Sequence, residues 1–552
     1  MFVVVLERSK FTYFFKGIVL LTLAGAFWFW SWLSEPYPPP KIGINAQSTE
    51  LVEQLFQSAQ IGEICLDQTT ELLTRLANGS LDYIVEMGEP TPGAIYWSLG
   101  QLVPAIIVPY FDQAEGMSLQ ELIRALETHP QQVLVSSTLK LPDFPWSNQP
   151  VRYLHSALVI DEVAKGRGKF GVIPLQDRSP VVRVLPLEGV DPSHPSEDDQ
   201  PYCLTRSLYL SRPERTLTRR LKDLDILHQG GIVDEVRLAP DKTRYANPWG
   251  QQIQMVAVGD VMLNRDVKKE GLAKGWEYIF DKVAPFISRA DLAFANLESP
   301  IGDKGHFINM FQAPSEAIKG IVHAGFDVVA LANNHTLDYH HEGMFETMRL
   351  LDEHEIAWVG AGRNIQEARQ PLIREVGGVR VGFLSYTEMW FVNAREPISW
   401  KATEDEPGVA PAEIDYIVED VSKLRHMVDV VIVTVHWGKE YTHKPTIEQR
   451  SLARAAVDAG ADLVLGHHPH VLQGIEFYKQ GVIAYSLGNF VFDLNIPKTW
   501  ETMVLEFTLS TAGVLDMTIV PTYIFGVQPQ ILQGYHREVL YRQIRDFSLQ
   551  IN

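Results

Sequence analysis

From about residue 251 onward the chain repeats one pattern, a short apolar run that gives way at once to polar residues. Ile253 to Val258 leads into Gly259-Asp260-Val261-Met262-Leu263-Asn264-Arg265, and Leu292 to Ala295 into Asn296-Leu297-Glu298. Phe326 to Ala332 ends in Asn333-Asn334-His335, and Asp429 to Val435 ends in His436-Trp437-Gly438. Ala461 to Leu465 ends in Gly466-His467-His468-Pro469-His470, and Val482 to Tyr485 in Ser486-Leu487-Gly488-Asn489-Phe490. Apolar runs this short and this continuous predict buried strands. Between them, Trp276 to Arg289, Gly343 to His354, Ile414 to Met427 and Ile447 to Ala459 carry the three-to-four spacing of helices. Alternating strands and helices predict an α/β domain, and α/β domains place their chemistry where strands hand over to loops. Strands such as Leu515 to Pro521 and a terminal helix, Arg537 to Phe547, complete this domain, which is set at residues 251–552.

The region before it reads differently. Helical spacing at Thr69 to Leu76 and Leu119 to Leu126, with strands at Leu81 to Val85, Ala105 to Val108 and Gln132 to Val135, predicts another α/β domain over residues 41–211 with a largely parallel sheet. Residues 212–250 mix a charged helix with Gly230-Gly231 and Pro248-Trp249-Gly250, the composition of a linker. At the start, Arg8, Lys10 and Lys16 precede an apolar run from Gly17 to Leu33, and a proline-rich stretch reaches Pro40. Extended by Phe11 to Phe15, the run has bilayer length. Its basic flank predicts a single transmembrane anchor with the body outside the cytoplasm, and cleavage after Ala26 would instead release the protein.

A chain of 552 residues with net charge −20 changes this picture in one respect: its own field opposes nucleic acid, which is excluded as a partner. Cys65 and Cys203 are the two cysteines, so no disulfide framework holds the fold, and the pair allows either one bridge or two buried thiols.

The chemistry gathers at the polar strand ends. His468 and His470 are two apart and would face one point on an extended backbone, and neutral imidazole is a strong ligand for zinc, iron or manganese. Asp260 closes a strand as a candidate metal carboxylate, and Asn296 and Glu298 alternate to present one oxygen face. Each residue has an ordinary reading as a cap or a satisfied core histidine. Six successive strands ending in Asp, Glu, Asn or His point instead to a shared site, and mixed oxygen and nitrogen donors without cysteine suit two divalent cations.

In order, Gly-Asp-Val-Met-Leu, Asn-Leu-Glu, Asn-Asn-His, His-Trp-Gly, Gly-His-His-Pro-His and Ser-Leu-Gly-Asn-Phe resemble the CapA family of capsule and poly-γ-glutamate biosynthesis proteins, a branch of the calcineurin-like metallophosphoesterases. The resemblance implies an αββα sandwich with two metal ions (Mn, Fe or Zn) at strand ends. It makes Asp260 the first metal carboxylate, Glu298 the bridging carboxylate, Asn334 the amide ligand, and His436, His468 and His470 the histidine ligands. His335 resembles the residue that contacts phosphate, and Arg265 is a candidate for a phosphate oxygen. The wider superfamily opens with Asp-x-His, where this chain has Met262; it has Glu298 for an aspartate, and it doubles the histidine at His467-His468. The expectation is a membrane-anchored phosphoesterase acting on a phosphoester or anionic polymer, with capsule-synthesis membrane proteins as partners. The alternative is a non-catalytic, metal-binding assembly or export factor. His443 and Glu440 are expected at the site rim.

Residues 41–211 resemble a periplasmic solute-binding protein in segments such as Leu102 to Val108, Gly168 to Pro174 and Val184 to Val190. That resemblance implies an anion ligand whose binding regulates the second domain, with Ser98, Ser156 and Arg178 as candidates by residue type; the alternative is an α/β spacer domain that binds nothing.

Overall fold

The structure is a computed structural model. It describes strands at 41–44, 63–66, 83–87, 95–102 and 206–212, most of residues 104–193, residue 204, and residues 251–551 except 309 and 390–398. The apolar run Gly17 to Leu33, the helix expected at Thr69 to Leu76, the 212–250 linker and Cys203 lie outside the described residues. Among the described residues no helix is long and apolar enough to cross a membrane.

The chain forms two compact units, one of 1–102, 140–144 and 206–244, the other of 103–139, 145–205 and 245–552. Residues 41–211, expected as one domain, are shared between them. The cause is a return strand: Arg206–Arg212 pairs antiparallel with both Tyr83–Met87 and Ile95–Leu102 in the first unit. The sheets of this region are mixed, not largely parallel. In the first unit Lys41–Ile44 pairs parallel with both Glu63–Leu66 and Tyr83–Met87. In the second unit Val133–Ser136 pairs parallel with Arg152–Leu154 and Phe170–Pro174, whereas Pro104–Pro109 runs antiparallel to Phe170–Pro174 and Val182–Leu185.

Residues 251–552 build four layers. One sheet runs in the order Ala357–Val359, Val328–Ala330, Leu292–Leu297, Gln252–Val261, Glu501–Ser510, Gly513–Phe525, Gln528–Ile531; Asn489–Val491 pairs with the end of Gln252–Val261. Its first four strands are parallel. The other sheet runs Leu372–Val376, Val379–Thr387, Val430–His436, Leu463–His467, Gly481–Ala484, Ile475–Tyr478.

Continuous apolar runs are explained by burial on both faces. Met255, Ala257, Leu292 and Phe294 meet Phe383, Val430, Ile432 and Leu465 between the sheets. The alternate residues Val256, Val258, Ala293 and Ala295 face outward into a second core with Ile321, Met344 and Leu351 of the flanking helices. On the other side Val431, Val433 and Val464 face Ile417, Val421, Leu452 and Ala456 of Ile414–Arg425 and Ile447–Ala459. This is the helix, sheet, sheet, helix order expected.

Helix ends follow local chemistry. Thr446 accepts from the Gln449 amide and Gln449 reaches back to the Thr446 amide, while Gly460 ends the Ile447–Ala459 helix in the left-handed region at φ 117°. The helix expected over Trp276 to Arg289 is broken into a turn at Glu277–Ile279 and a short Ala284–Ile287 helix. Pro285 supplies no amide to continue the ladder from the preceding turn.

Candidate metal centre

Parallel pairing aligns the strand ends. Asp260 lies beside Asn296 in register, and His436 beside His467. The two sheets thereby bring their C-terminal ends, and the loops that follow, to one buried point. Asp260, Glu298, His436, His468 and His470 are all buried there.

Among the described residues three groups of three are spaced to hold a cation: Glu298, His436 and His468; Asp260, Glu298 and His470; and, at the exposed rim, Glu440, His468 and His470. The two fully buried groups share Glu298, the position of the expected bridging carboxylate. Glu298 Oε1 lies 3.7 Å from His436 Nε2, 3.8 Å from His470 Nε2 and 4.0 Å from His335 Nε2. These separations are too long for hydrogen bonds but fall among the roughly 3.0 to 4.2 Å ligand-to-ligand distances around an ion with bonds of about 2.1 Å. Both Glu298 oxygens are buried without a hydrogen-bond donor among the described residues. A fully buried carboxylate in that state is costly unless a cation or proton meets it, so the donor set fits divalent metal. Asn334 Oδ1 completes the His436 side, 2.7 Å from His436 Nε2, with His468 Nδ1 3.1 Å from the same nitrogen.

The electrostatics agree. Burial, then the charge of Asp260, pushes Glu298 well above the ordinary carboxyl range. Burial also acts to raise Asp260, but the hydrogen bond and charge of His467, with His470 and Asn296, outweigh it and hold Asp260 low. Burial pushes His436 well down, assisted by the neighbouring imidazoles, and pushes His468 down to about 3. His470 is lowered by burial against the opposing pull of Asp260. Neutral imidazoles are the ligating form.

The surrounding residues orient this set. Asn296 donates to Asp260 Oδ1 at 2.8 Å, so it is a positioning amide, not part of an oxygen face with Glu298. His467 Nδ1 lies 3.1 Å from the same Asp260 oxygen and belongs to none of the three groups, whereas His468 and His470 occur together in one of them. His470 Nδ1 is engaged by Asn489 Oδ1 at 2.9 Å, leaving Nε2 toward Glu298. The backbone is not extended as expected: His468 and His470 take φ of 93° and 56°. Non-glycine residues reach that region only when their surroundings hold them there. The His468 amide, donating to Asp260 Oδ2 at 3.2 Å, is part of that hold.

His335 lies at the edge of the cluster. Its Nδ1 meets Asp338 Oδ2 at 2.8 Å, and that oxygen also accepts from the amides of Met310 and Phe311. Nε2 is thereby left facing Asn334 and Glu298. Asp338 and Asn489 were missed as site residues, although His335-x-x-Asp338 spacing was available as a signal. Arg265, expected to bind a phosphate oxygen, is ion-paired with Asp493 and lies over Phe311 and Phe492 at 4.8 and 5.5 Å. Met262 is buried in the outer core, its sulfur accepting from the Asn264 amide. Glu440 is at the rim, within reach of His468 and His470. His443 is not: its Nδ1 meets the Leu472 carbonyl at 2.8 Å and its ring stacks on Phe547 of the C-terminal helix at 4.5 Å. Ser156 starts the Ser156–Ala164 helix and contacts Ser136 and Asp177, while Arg178 is buried near Asp191 and Asp516. The side chain of Ser98 lies outside the described residues.

Fold and site together define a four-layer α/β protein with a buried His, Asp, Glu and Asn cluster suited to divalent cations. The family described as "Bacterial capsule synthesis protein PGA_cap" matches residues 254–494. "Capsule biosynthesis protein CapA" of Bacillus anthracis is 35% identical over 306 residues, covering 53% of this chain and 73% of that protein. "PGA biosynthesis protein CapA" of Bacillus subtilis (strain 168) is 34% identical over 278 residues, covering 49% of this chain and 72% of that protein. The chain belongs to this family of bacterial capsule synthesis proteins. Among solved structures, an ABC-type phosphate transport receptor from Vibrio cholerae aligns with 35% of this chain and 99% of its own at 11% identity and a TM-score of 0.27. At that score the architecture of residues 41–211 rests on its own strands alone.

Proposed function

We propose that this protein is a metal-dependent phosphoesterase of the bacterial envelope, acting in the synthesis of capsule or poly-γ-glutamate. In this reading the run Gly17 to Leu33 anchors it in the membrane with its body outside the cytoplasm, beside membrane proteins of polymer synthesis. The observation that carries the reading is the unpartnered, fully buried Glu298 carboxylate shared by two ligand groups. Glu298, His436, His468 and Asn334 would hold one cation, and Asp260, Glu298 and His470 the other. The chemistry such cations supply when bound is Lewis acidity and a hydroxide nucleophile at neutral pH.

The chain's own residues do the rest. His335, its Nδ1–H held by Asp338, presents Nε2 at the cluster edge, and its imidazolium form would donate from Nε2 a hydrogen bond to a phosphoryl oxygen or a proton to the leaving oxygen. Burial of the cluster keeps His436 and His468 unprotonated and ready to ligate. Arg265 is ion-paired with Asp493 and would meet a phosphate oxygen only with its charge shared between the two. The test is His335→Ala: loss of phosphomonoester or phosphodiester cleavage at unchanged metal content supports the mechanism, and unchanged turnover removes it.

A second reading is favoured by one observation. Met262 turns its sulfur to a backbone amide in the core, so the Asp260 side has one nitrogen donor fewer than an Asp-x-His site supplies. A non-catalytic assembly or export factor, holding an anionic polymer through its metals, needs no more than that. Metal-loaded protein that binds polyglutamate and cleaves nothing in a phosphoester panel would establish this reading over the first.

A further inference from the structure

Away from the histidine cluster, a cleft of about 550 Å³ is lined by residues of 110–193 on one side and by Gly513–Phe525 and the C-terminal helix Gly534–Leu549 on the other. All of them belong to one compact unit. Its floor is well tied. Tyr110 donates to the Met517 carbonyl at 3.0 Å and packs on Phe477 at 5.1 Å, and Phe111 reaches Tyr541 at 6.4 Å.

The charges of the cleft separate into two sets. Its aspartates are committed. Asp191 accepts from the Ser193 amide and hydroxyl at 2.8 and 2.5 Å, Asp516 from the Met517 amide at 2.8 Å, and both aspartates act on the buried Arg178. Asp112 accepts from the Ala114 amide at 2.8 Å. Along the helix, Glu538 faces Arg542 at 3.6 Å and Arg545 faces Asp546 at 3.0 Å. Two guanidiniums are left over. Arg183 donates to the carbonyls of Asp112 and Ala114 and meets no carboxylate among the described residues. Arg537 has no hydrogen bond or ion pair among the described residues, and it lines the same cleft.

Tyr541 stands between them. Its half-buried hydroxyl makes no hydrogen bond among the described residues. Burial pushes its phenol up, and the three cations that oppose this are Arg183, Arg537 and Arg545. In a chain of net charge −20, cations converging on one unused donor beside a cavity form a receptor for negative charge.

The geometry points to an anion-binding site in this cleft, in which Arg183, Arg537 and the Tyr541 hydroxyl hold a ligand bearing several carboxylate or phosphate groups. The site is separate from the histidine cluster and does not depend on the phosphoesterase reading. A free small anion and a segment of acidic polymer share this chemistry.

Isothermal titration of the full-length protein with citrate, pyrophosphate and a polyglutamate oligomer tests it. At least one of these binds the wild-type protein at a single site. Arg537→Gln, at an exposed position that leaves folding intact, weakens that binding about tenfold or more, and Tyr541→Phe weakens it less. His436→Ala binds as the wild type does. Binding of citrate or pyrophosphate without the oligomer identifies a small-anion site, and tighter binding of the oligomer identifies a polymer site. No binding of any probe at millimolar concentration, unchanged binding in Arg537→Gln, or loss of binding in His436→Ala overturns the proposal, the last because the anion would then be held at the histidine cluster.

Discussion

Glu298 concentrates the energetics of the centre in one side chain. Without a cation its carboxyl is buried beside Asp260 with no hydrogen-bond donor among the described residues, so the metal-free protein carries the cost of either a buried charge or an added proton, which the loaded protein does not. Glu298→Gln removes the charge at nearly constant shape. At pH 7.5 the metal-free variant should be more stable than the metal-free wild type by about 1–3 kcal/mol, yet gain little from added Mn²⁺. Urea denaturation with and without metal measures both effects, and a destabilised metal-free variant would contradict the assignment. Asp338 works at one remove, through His335. Asp338→Asn should lower kcat by roughly 10- to 100-fold on any phosphoester that the wild type cleaves, while metal content by elemental analysis stays the same.

At the scale of elements, close backbone packing brings the ligands together. A Cβ at Gly259 would lie 2.0 Å from the Gly488 carbonyl, the group that accepts from the Asp260 amide at 3.1 Å. Gly259→Ala should therefore cost at least about 2 kcal/mol and displace Asp260, read as a lower denaturation midpoint together with weakened metal binding. Thr446→Ala tests a helix far simpler in its logic: losing the cap should cost about 1 kcal/mol with metal binding retained. The same helix shows what was legible in the sequence. Ile447 and Ala459 were expected as its limits and are its limits, because Thr446, Gln449 and Gly460 mark both ends locally. The left-handed turns at His468 and His470 were not legible, since nothing local demands them and contacts from Asp260 and Asn489 hold them. His443 was misplaced for a similar reason, its stacking partner Phe547 being distant in sequence.

For the whole molecule, pH is the informative variable. His436 and His468 have folded pKa values below the unfolded value of about 6.5, so the unfolded chain binds more protons. Their contribution to stability is present above that pH and is lost as pH falls toward the folded value, about 3 for His468. Metal-free Glu298→Gln protein, which lacks the opposing proton uptake of the raised Glu298 carboxyl, should melt at progressively lower temperature from pH 7 to pH 5, and Mn²⁺ should raise the melting temperature of the wild type more at pH 7.5 than at pH 5.5. A flat profile by scanning calorimetry would argue against neutral buried imidazoles. The convergence of the candidate ligands could be read from the chain because six strand ends repeat one chemical signature across residues 260–489. The division into units could not, because it depends on where Arg206–Arg212 returns, and a strand's partners are not written in its own residues.

The strand that carries Asp260 has Leu292–Leu297 on one side, but its other side is closed by Asn489–Val491 and Glu501–Ser510. During synthesis, that second edge stays open while the ribosome makes nearly all of the intervening chain. An edge open for so long exposes unpaired backbone groups to wrong pairing until residue 510 has emerged. Asp260, translated first among the ligands, thus reaches its final surroundings only after residues 489–510 have been made, and the centre matures no earlier than they do.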